Sequence, residues 1–201
     1  MIRADESLTV ATWPRRDGRD GAYTINERKD THQAPDHLDI KCLQERMGTG
    51  LKIAVDDLSG PEIAGFLDEH VQEMRSITPL ESKHALDLES LRRPEITFWS
   101  VMDGDSLVGC GAIKRLDADH AEVKSMRTRP TRKRSGIASL LLEHIVTEAK
   151  RMGFTRLSLE TGAAEFFLPA RKLYEKFGFE YCDPFADYKP DPNSAFMTRV
   201  L

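Results

Sequence analysis

The sequence predicts an α+β domain built on a mixed, mostly antiparallel sheet, and three observations carry that prediction. Residues 96–128 divide into three strand-like runs at the turn signals Asp103-Gly104 and Asp117-Ala118-Asp119, and loops that short leave consecutive strands antiparallel. The hydrophobic period then changes from two to 3.6: Ile137, Leu140, Leu141, Ile145 and Met152 share one helical face, and Gly153 stands at the C-terminal cap. That helix leads to a further strand over residues 155–161. Strand, helix and strand in this order require one parallel pair with a right-handed crossover.

Length and composition fit one folded domain and an extension before it. The 201 residues carry 40% hydrophobic and 31% charged side chains at a net charge of −4, which excludes collagen-like, coiled-coil and wholly disordered chains. No run nears the ~18 apolar residues of a membrane span and no charged-then-apolar leader is present, so a cytoplasmic protein with no membrane partner is expected. Cys42, Cys110 and Cys182 are far apart and odd in number, which predicts neither a disulfide framework nor a metal site. The near-neutral charge gives no global reason for a nucleic-acid partner. Residues 1–47 hold only seven Leu, Ile, Val or Phe, too few to close a core, while eight Lys or Arg offset nine Asp or Glu. A flexible N-terminal extension, 1–48, and a folded domain, 49–201, are therefore expected.

Within the domain the elements follow in order. A strand is expected at residues 51–55. Ser59 with Glu62 three positions on matches a capping box, and Pro61 suits a helix's first turn. Ile63, Phe66, Leu67, Val71 and Met74 then line one helical face, the stripe of a helix packed on a sheet, until Thr78-Pro79 ends it. A weaker helix runs through His84, Leu88 and Leu91 to Pro94. After the three antiparallel strands and the crossover unit, Pro169 opens a short helix that ends at Gly178. Residues 179–182 and 196–200 read as closing strands. The loop between them, with Pro184, Pro190 and Pro192, has the length of a binding loop or lid.

The most informative segment joins a strand to the crossover helix: Met126-Arg-Thr-Arg-Pro-Thr-Arg-Lys-Arg-Ser-Gly-Ile-Ala138, with five basic residues between 127 and 134. Free N–H groups at a helix N-terminus, a glycine that lets a ligand approach, and nearby cations suit an anion such as a pyrophosphate. A solvated basic loop and a nucleic-acid patch are the other readings. The cations are not interleaved with aromatics and the rest of the chain is acidic, which weighs against the second.

From residue 51 onward the chain resembles the GCN5-related N-acetyltransferase (GNAT) family, whose mark is a strand followed by a [QR]xxGx[GA] turn at the start of a helix. Here the turn reads Lys133-Arg134-Ser135-Gly136-Ile137-Ala138, with lysine in the first place. Pro169-Ala-Arg-Lys-Leu-Tyr-Glu-Lys-Phe-Gly-Phe179 is similar to the family's AxxLYxxxGF segment, with Phe167 where an asparagine often contacts the CoA arm. Pro184-Phe-Ala-Asp-Tyr188 and Asp191-Pro-Asn-Ser194 look like segments of a small bacterial subgroup of unsettled substrate. The resemblance implies a GNAT-like fold, a central sheet with helices on both faces, and acetyl-CoA as co-substrate. It implies cofactor contacts from Met126, Arg127 and Thr128 and from Lys133, Arg134, Ser135, Gly136, Ile137 and Ala138.

The implied reaction is acetyl transfer from acetyl-CoA to a primary amine: a small amine, an amino acid or a peptide N-terminus. Such a transfer needs a proton acceptor, an oxyanion donor and an acid for the leaving thiolate. Tyr174 is the implied acid, and an ordinary phenol pKa of ~10 keeps it protonated at neutral pH. A main-chain N–H around Met126 or Arg127 is the implied oxyanion donor. Glu122 is the first candidate base, on the strand before the turn and, by alternation, on one face with Lys124 and Met126. An exposed cross-strand ion pair with Lys124 or a neighbour is its other reading, and His84 and Glu160 are further candidates. Arg171 and Lys172, on the first turn after Pro169, either contact the CoA arm or are solvated on the helix surface, the second being favoured, and Phe98 and Trp99 are expected in the core. Phe185 and Tyr188 either wall a substrate site or pin their loop. A non-catalytic acyl-CoA-binding regulatory module is the alternative function, and a homodimer stays open.

Overall fold

A computed structural model describes residues 10–13, 21–24, 50–77 and 87–201. The chain divides into two units, Met1–His37 and Leu38–Leu201. In the first, strands β1 (Val10–Trp13) and β2 (Gly21–Thr24) pair antiparallel, with Val10 opposite Thr24. This hairpin falls within the segment read from the sequence as an extension, and the rest of that segment lies outside the described residues.

The second unit contains β3 (Leu51–Val55), β4 (Ile96–Asp103), β5 (Ser106–Arg115), β6 (His120–Thr128), β7 (Arg156–Gly162), β8 (Glu180–Tyr181) and β9 (Ser194–Val200). They form one sheet in the order β3-β4-β5-β6-β7-β9-β8. Every neighbouring pair is antiparallel except β6 and β7, which a helix joins, as the change of period requires. Helices α1 (Pro61–Ile77), α2 (Leu88–Leu91), α3 (Ile137–Arg151) and α4 (Leu168–Lys176) cover both faces.

Strand alternation sends neighbouring side chains to opposite layers. Phe98, Cys110 and Ala112 meet Ile63, Phe66 and Leu67 of α1 and Leu91 of α2 on one face. Trp99, Val101, Ile113 and Val123 meet Ile137, Leu140, Leu141 and Ile145 of α3 on the other, together with Tyr174 of α4. Phe98 and Trp99 are thus both core residues. Each Val, Leu, Ile or Phe buried in this way contributes ~1.5–3 kcal/mol.

Local capping departs from expectation at α1. The Ser59 N–H donates to Asp57 Oδ1 at 2.9 Å, and the Glu62 carboxylate accepts the Leu107 N–H at 3.2 Å. The predicted capping box is therefore not closed, because an aspartate two residues upstream offers Ser59 a nearer acceptor. Glu62 instead ties α1 to β5. Helix α2 is capped by Asp87, whose carboxylate accepts the Ser90 N–H at 2.8 Å. The Thr78-Pro79 stop and His84 lie outside the described residues. At the end of α3, Gly153 adopts φ 87°, the left-handed geometry of a terminal glycine. No helix among the described residues is long and apolar enough to cross a membrane.

Candidate active site

The sheet splits between its two parallel strands. β6 and β7 pair only from His120 opposite Arg156 to Val123 opposite Leu159. Beyond that point β7 continues along β9 as far as Gly162, and β6 along β5 as far as Thr128. The strands diverge, and a cleft of about 350 Å³ opens where their pairing stops.

A bulge in β6 lies at the split. Lys124 pairs with Ala112 and Arg127 with Cys110, so Ser125 and Met126 together face Gly111. Ser125 takes φ 53°, a left-handed conformation that costs a non-glycine residue ~1–3 kcal/mol. Its carbonyl accepts the Cys110 thiol at 3.4 Å. The extra residue reverses side-chain parity, which corrects the expected alternation. Met126 packs into the α3 layer beside Leu141 and Ile145, whereas Glu122 and Lys124 bond Tyr188 and Arg127 lies over Phe66 of α1.

From β6 the chain turns through a short 3-10 segment, Pro130–Arg132, into the glycine turn. Arg134 and Gly136 both take positive φ, 62° and 85°. Gly136 caps α3 without a side chain, so the first-turn N–H groups have no capping partner from it. The Ser135 hydroxyl donates to the Arg132 carbonyl at 2.5 Å. The chain's own carboxylates answer most of the basic cluster: Arg132 meets Asp103 at 2.7 Å, Arg129 meets Glu62 at 3.9 Å, and Lys133 meets Glu73 at 3.9 Å.

Tyr174 and Glu160 line the cleft from α4 and β7. Tyr174 is 7% exposed and stands edge-on to Phe179, with ring centroids 5.9 Å apart. Burial, and then the charge of Glu160, push its phenol above the ordinary value, so it stays protonated at neutral pH. Glu160 Oε1 accepts the Ser194 hydroxyl at 2.6 Å.

Helix α1 supplies His70, Glu73 and Met74 to the same cleft. Burial, and then the charge of Arg127, lower the His70 pKa to about 4, so its imidazole is neutral near pH 7. Its Nδ1 has no hydrogen-bond partner. Sequence reasoning passed over His70 and Glu73. A signal was present for His70: it falls four residues after Phe66 and three after Leu67, a polar residue on a buried stripe.

Glu122 does not line the cleft. It is 2% exposed, and its Oε1 accepts the Tyr188 hydroxyl at 2.6 Å and Lys124 Nζ at 3.1 Å. Lys124 Nζ also donates to the Tyr188 oxygen at 2.8 Å. The ion pair with Lys124 is therefore present, in a buried rather than an exposed setting. Phe185 and Tyr188 pack on each other and on Phe196, with centroids 5.2 to 6.0 Å apart, and so pin their loop to the sheet. Arg171 Nη1 donates to the carbonyls of Gly162 and Ala164 at 2.6 and 2.9 Å, fixing the junction of β7 and α4. Lys172 pairs with Glu175 on the helix surface.

Residues 60–179 match the family model described as the Acetyltransferase (GNAT) family. The chain belongs to the GNAT family. It is 56% identical over 151 residues to the uncharacterized N-acetyltransferase YsnE of Bacillus subtilis (strain 168), covering 75% of this chain and 100% of that protein. It is 48% identical over 149 residues to the uncharacterized N-acetyltransferase YedL of Escherichia coli (strain K12), covering 74% and 94%. Among solved structures, an acetyltransferase from Streptococcus agalactiae 2603 has a TM-score of 0.60 at 22% identity, over 76% of this chain and 99% of that one. A Bacillus subtilis acetyltransferase in complex with CoA has a TM-score of 0.54 at 15% identity, over 75% and 99%.

This GNAT protein is an acetyl-CoA-dependent N-acetyltransferase, with acetyl-CoA as its co-substrate. The residues present fit that ligand: the left-handed Gly136 and the unfilled N–H groups of α3 suit a pyrophosphate. Where GNAT members often have asparagine, the Phe167 ring packs on Gly162, and any side chain at Gly162 would collide with it. The cleft wall there is apolar.

Proposed function

We propose that this N-acetyltransferase acetylates the primary amine of a small molecule, an amino acid or a peptide N-terminus. Residues 49–201 are the acting domain and 1–48 an extension to it. The observation that carries this reading is that one cleft adjoins the β6 bulge and the glycine turn and holds a protonated Tyr174. Acetyl-CoA supplies the activated acyl group. Lys133, Arg134, Ser135, Gly136, Ile137 and Ala138 hold its pyrophosphate through main-chain N–H groups, and the main chain of Met126, Arg127 and Thr128 flanks its arm.

Each chemical need has a group near the split. A main-chain N–H at Met126 or Arg127, beside the bulge, bonds the thioester carbonyl oxygen as charge builds on it. Tyr174 donates its phenolic proton to the departing sulfur. Glu160 lines the cleft and takes the proton of the amine, whereas Glu122, the first candidate from the sequence, is closed off by Tyr188 and Lys124. Glu122 then serves to hold the loop that carries Tyr188.

The pH dependence of kcat/KM in Glu160→Gln and Glu122→Gln tests this assignment. Glu160→Gln is expected to lower the rate by ~10²-fold or more and to remove the acidic limb of the profile. Loss of that limb in Glu122→Gln alone would return the base to Glu122.

A further inference from the structure

We propose that the acceptor is an amino carboxylate, and that the side chain of Arg127 binds its carboxylate. This rests on the reading of the cleft as the acetyl-transfer site. The Arg127 side chain is 6% exposed, yet its Nε and Nη1 have no hydrogen-bond partner. Its Nη2 lies 3.6 Å from Glu69 and 3.9 Å from Glu73, both longer than a hydrogen bond. Glu69 is 62% exposed, so water screens that contact, and Glu73 is shared with Lys133 at 3.9 Å. Buried donors left unfilled are costly, and a ligand carboxylate fills the Nε and Nη1 donors that Glu69 and Glu73 do not reach.

The surroundings select the class of ligand. The guanidinium lies 4.8 Å from the centre of the Phe66 ring, and that contact holds it beside α1. His70, neutral and with Nδ1 unpartnered, lines the cleft from the same helix and offers a further polar contact. Glu160 lines the cleft from β7 and attracts an ammonium group. A cation on one element and a carboxylate on another suit a molecule that carries the opposite pair. A simple amine would leave the Arg127 donors unfilled.

The test compares amino acids and short ω-amino acids with their own primary amides, by thiol release from acetyl-CoA. The acids are expected to exceed the amides in kcat/KM by roughly 10- to 100-fold, the value of a hydrogen bond to a charged group. Arg127→Met should erase that ratio, and Arg127→Lys should keep part of it. Equal turnover of acids and amides by the unaltered protein overturns the proposal, as does an acid preference that persists in Arg127→Met. A second measurement does not depend on turnover: calorimetric titration of the CoA-saturated protein with N-acetyl amino acids and with their amides. Binding of the acids alone supports the proposal, and equal binding, or none, contradicts it. Absence of thiol release with every amine counts against the acetyl-transfer reading instead, and the titration still decides the role of Arg127.

Discussion

The sulfur of Met126 fills the space over Gly111: a Cβ built on Gly111 would stand 2.8 Å from Met126 Sδ and 3.0 Å from Ile145 Cδ1. The missing side chain on β5 is what lets the bulged residue of β6 turn into the α3 layer. The two positions therefore act together in shaping the bulge of β6.

Gly111→Ala should overpack this layer. A cost of ~1–3 kcal/mol is expected, seen as a lower Tm, together with weaker acetyl-CoA binding because the bulge must shift. Calorimetry of the variant checks both, and unchanged values for both would remove Gly111 from the account.

Gly136→Val places a β-branched residue at φ 85°, in the left-handed region, at the head of α3. The added side chain also stands where a phosphate would approach. Titration should show acetyl-CoA affinity lowered by at least about tenfold while far-ultraviolet circular dichroism keeps the native helix signal. Native affinity would remove the glycine turn from the binding site.

Tyr174→Phe removes one hydroxyl and keeps the ring that packs on Phe179. Turnover should fall by ~10²- to 10⁴-fold, the range for loss of a general acid, while acetyl-CoA affinity stays within about threefold. Full turnover in this variant would strike Tyr174 from the mechanism.

Much of this architecture was legible because its signals are local. Asp103-Gly104 and the Asp117 cluster mark two hairpin turns, and the period change after Pro130 marks the crossover helix, so the antiparallel run and the parallel pair both follow. The glycine turn was legible for the same reason. The bulge was not, since it depends on the register between β5 and β6 and on what Gly111 leaves vacant. That one unseen residue put Met126 on the wrong face and left Arg127 unread as a buried cation. The bonds of Tyr188 to Glu122 and Lys124 were hidden as well, because they join residues far apart in sequence.

His70 gives the fold a dependence on pH. Its pKa is about 4 in the folded chain against an ordinary 6.5, so the unfolded chain binds the proton first. The native state is therefore favoured above pH 6.5, loses stability as pH falls from 6.5 to about 4, and shows no further loss from this group below that. The full span amounts to on the order of 3 kcal/mol. Urea unfolding of the protein and of His70→Gln at pH 7.5 and 4.5 checks it: the variant should lose distinctly less stability between the two. Equal losses would contradict the burial of His70 as a neutral group.

In the proposed function the cleft between β6 and β7 binds acetyl-CoA and passes its acetyl group to an amine. Isothermal titration with acetyl-CoA, followed in the same sample by thiol release against a panel of amines, tests it most directly. Saturable binding at one site per chain, with release that depends on one class of amine, is the predicted result. Binding without release for any amine would point to an acyl-CoA-binding regulatory module, and no binding would contradict the account.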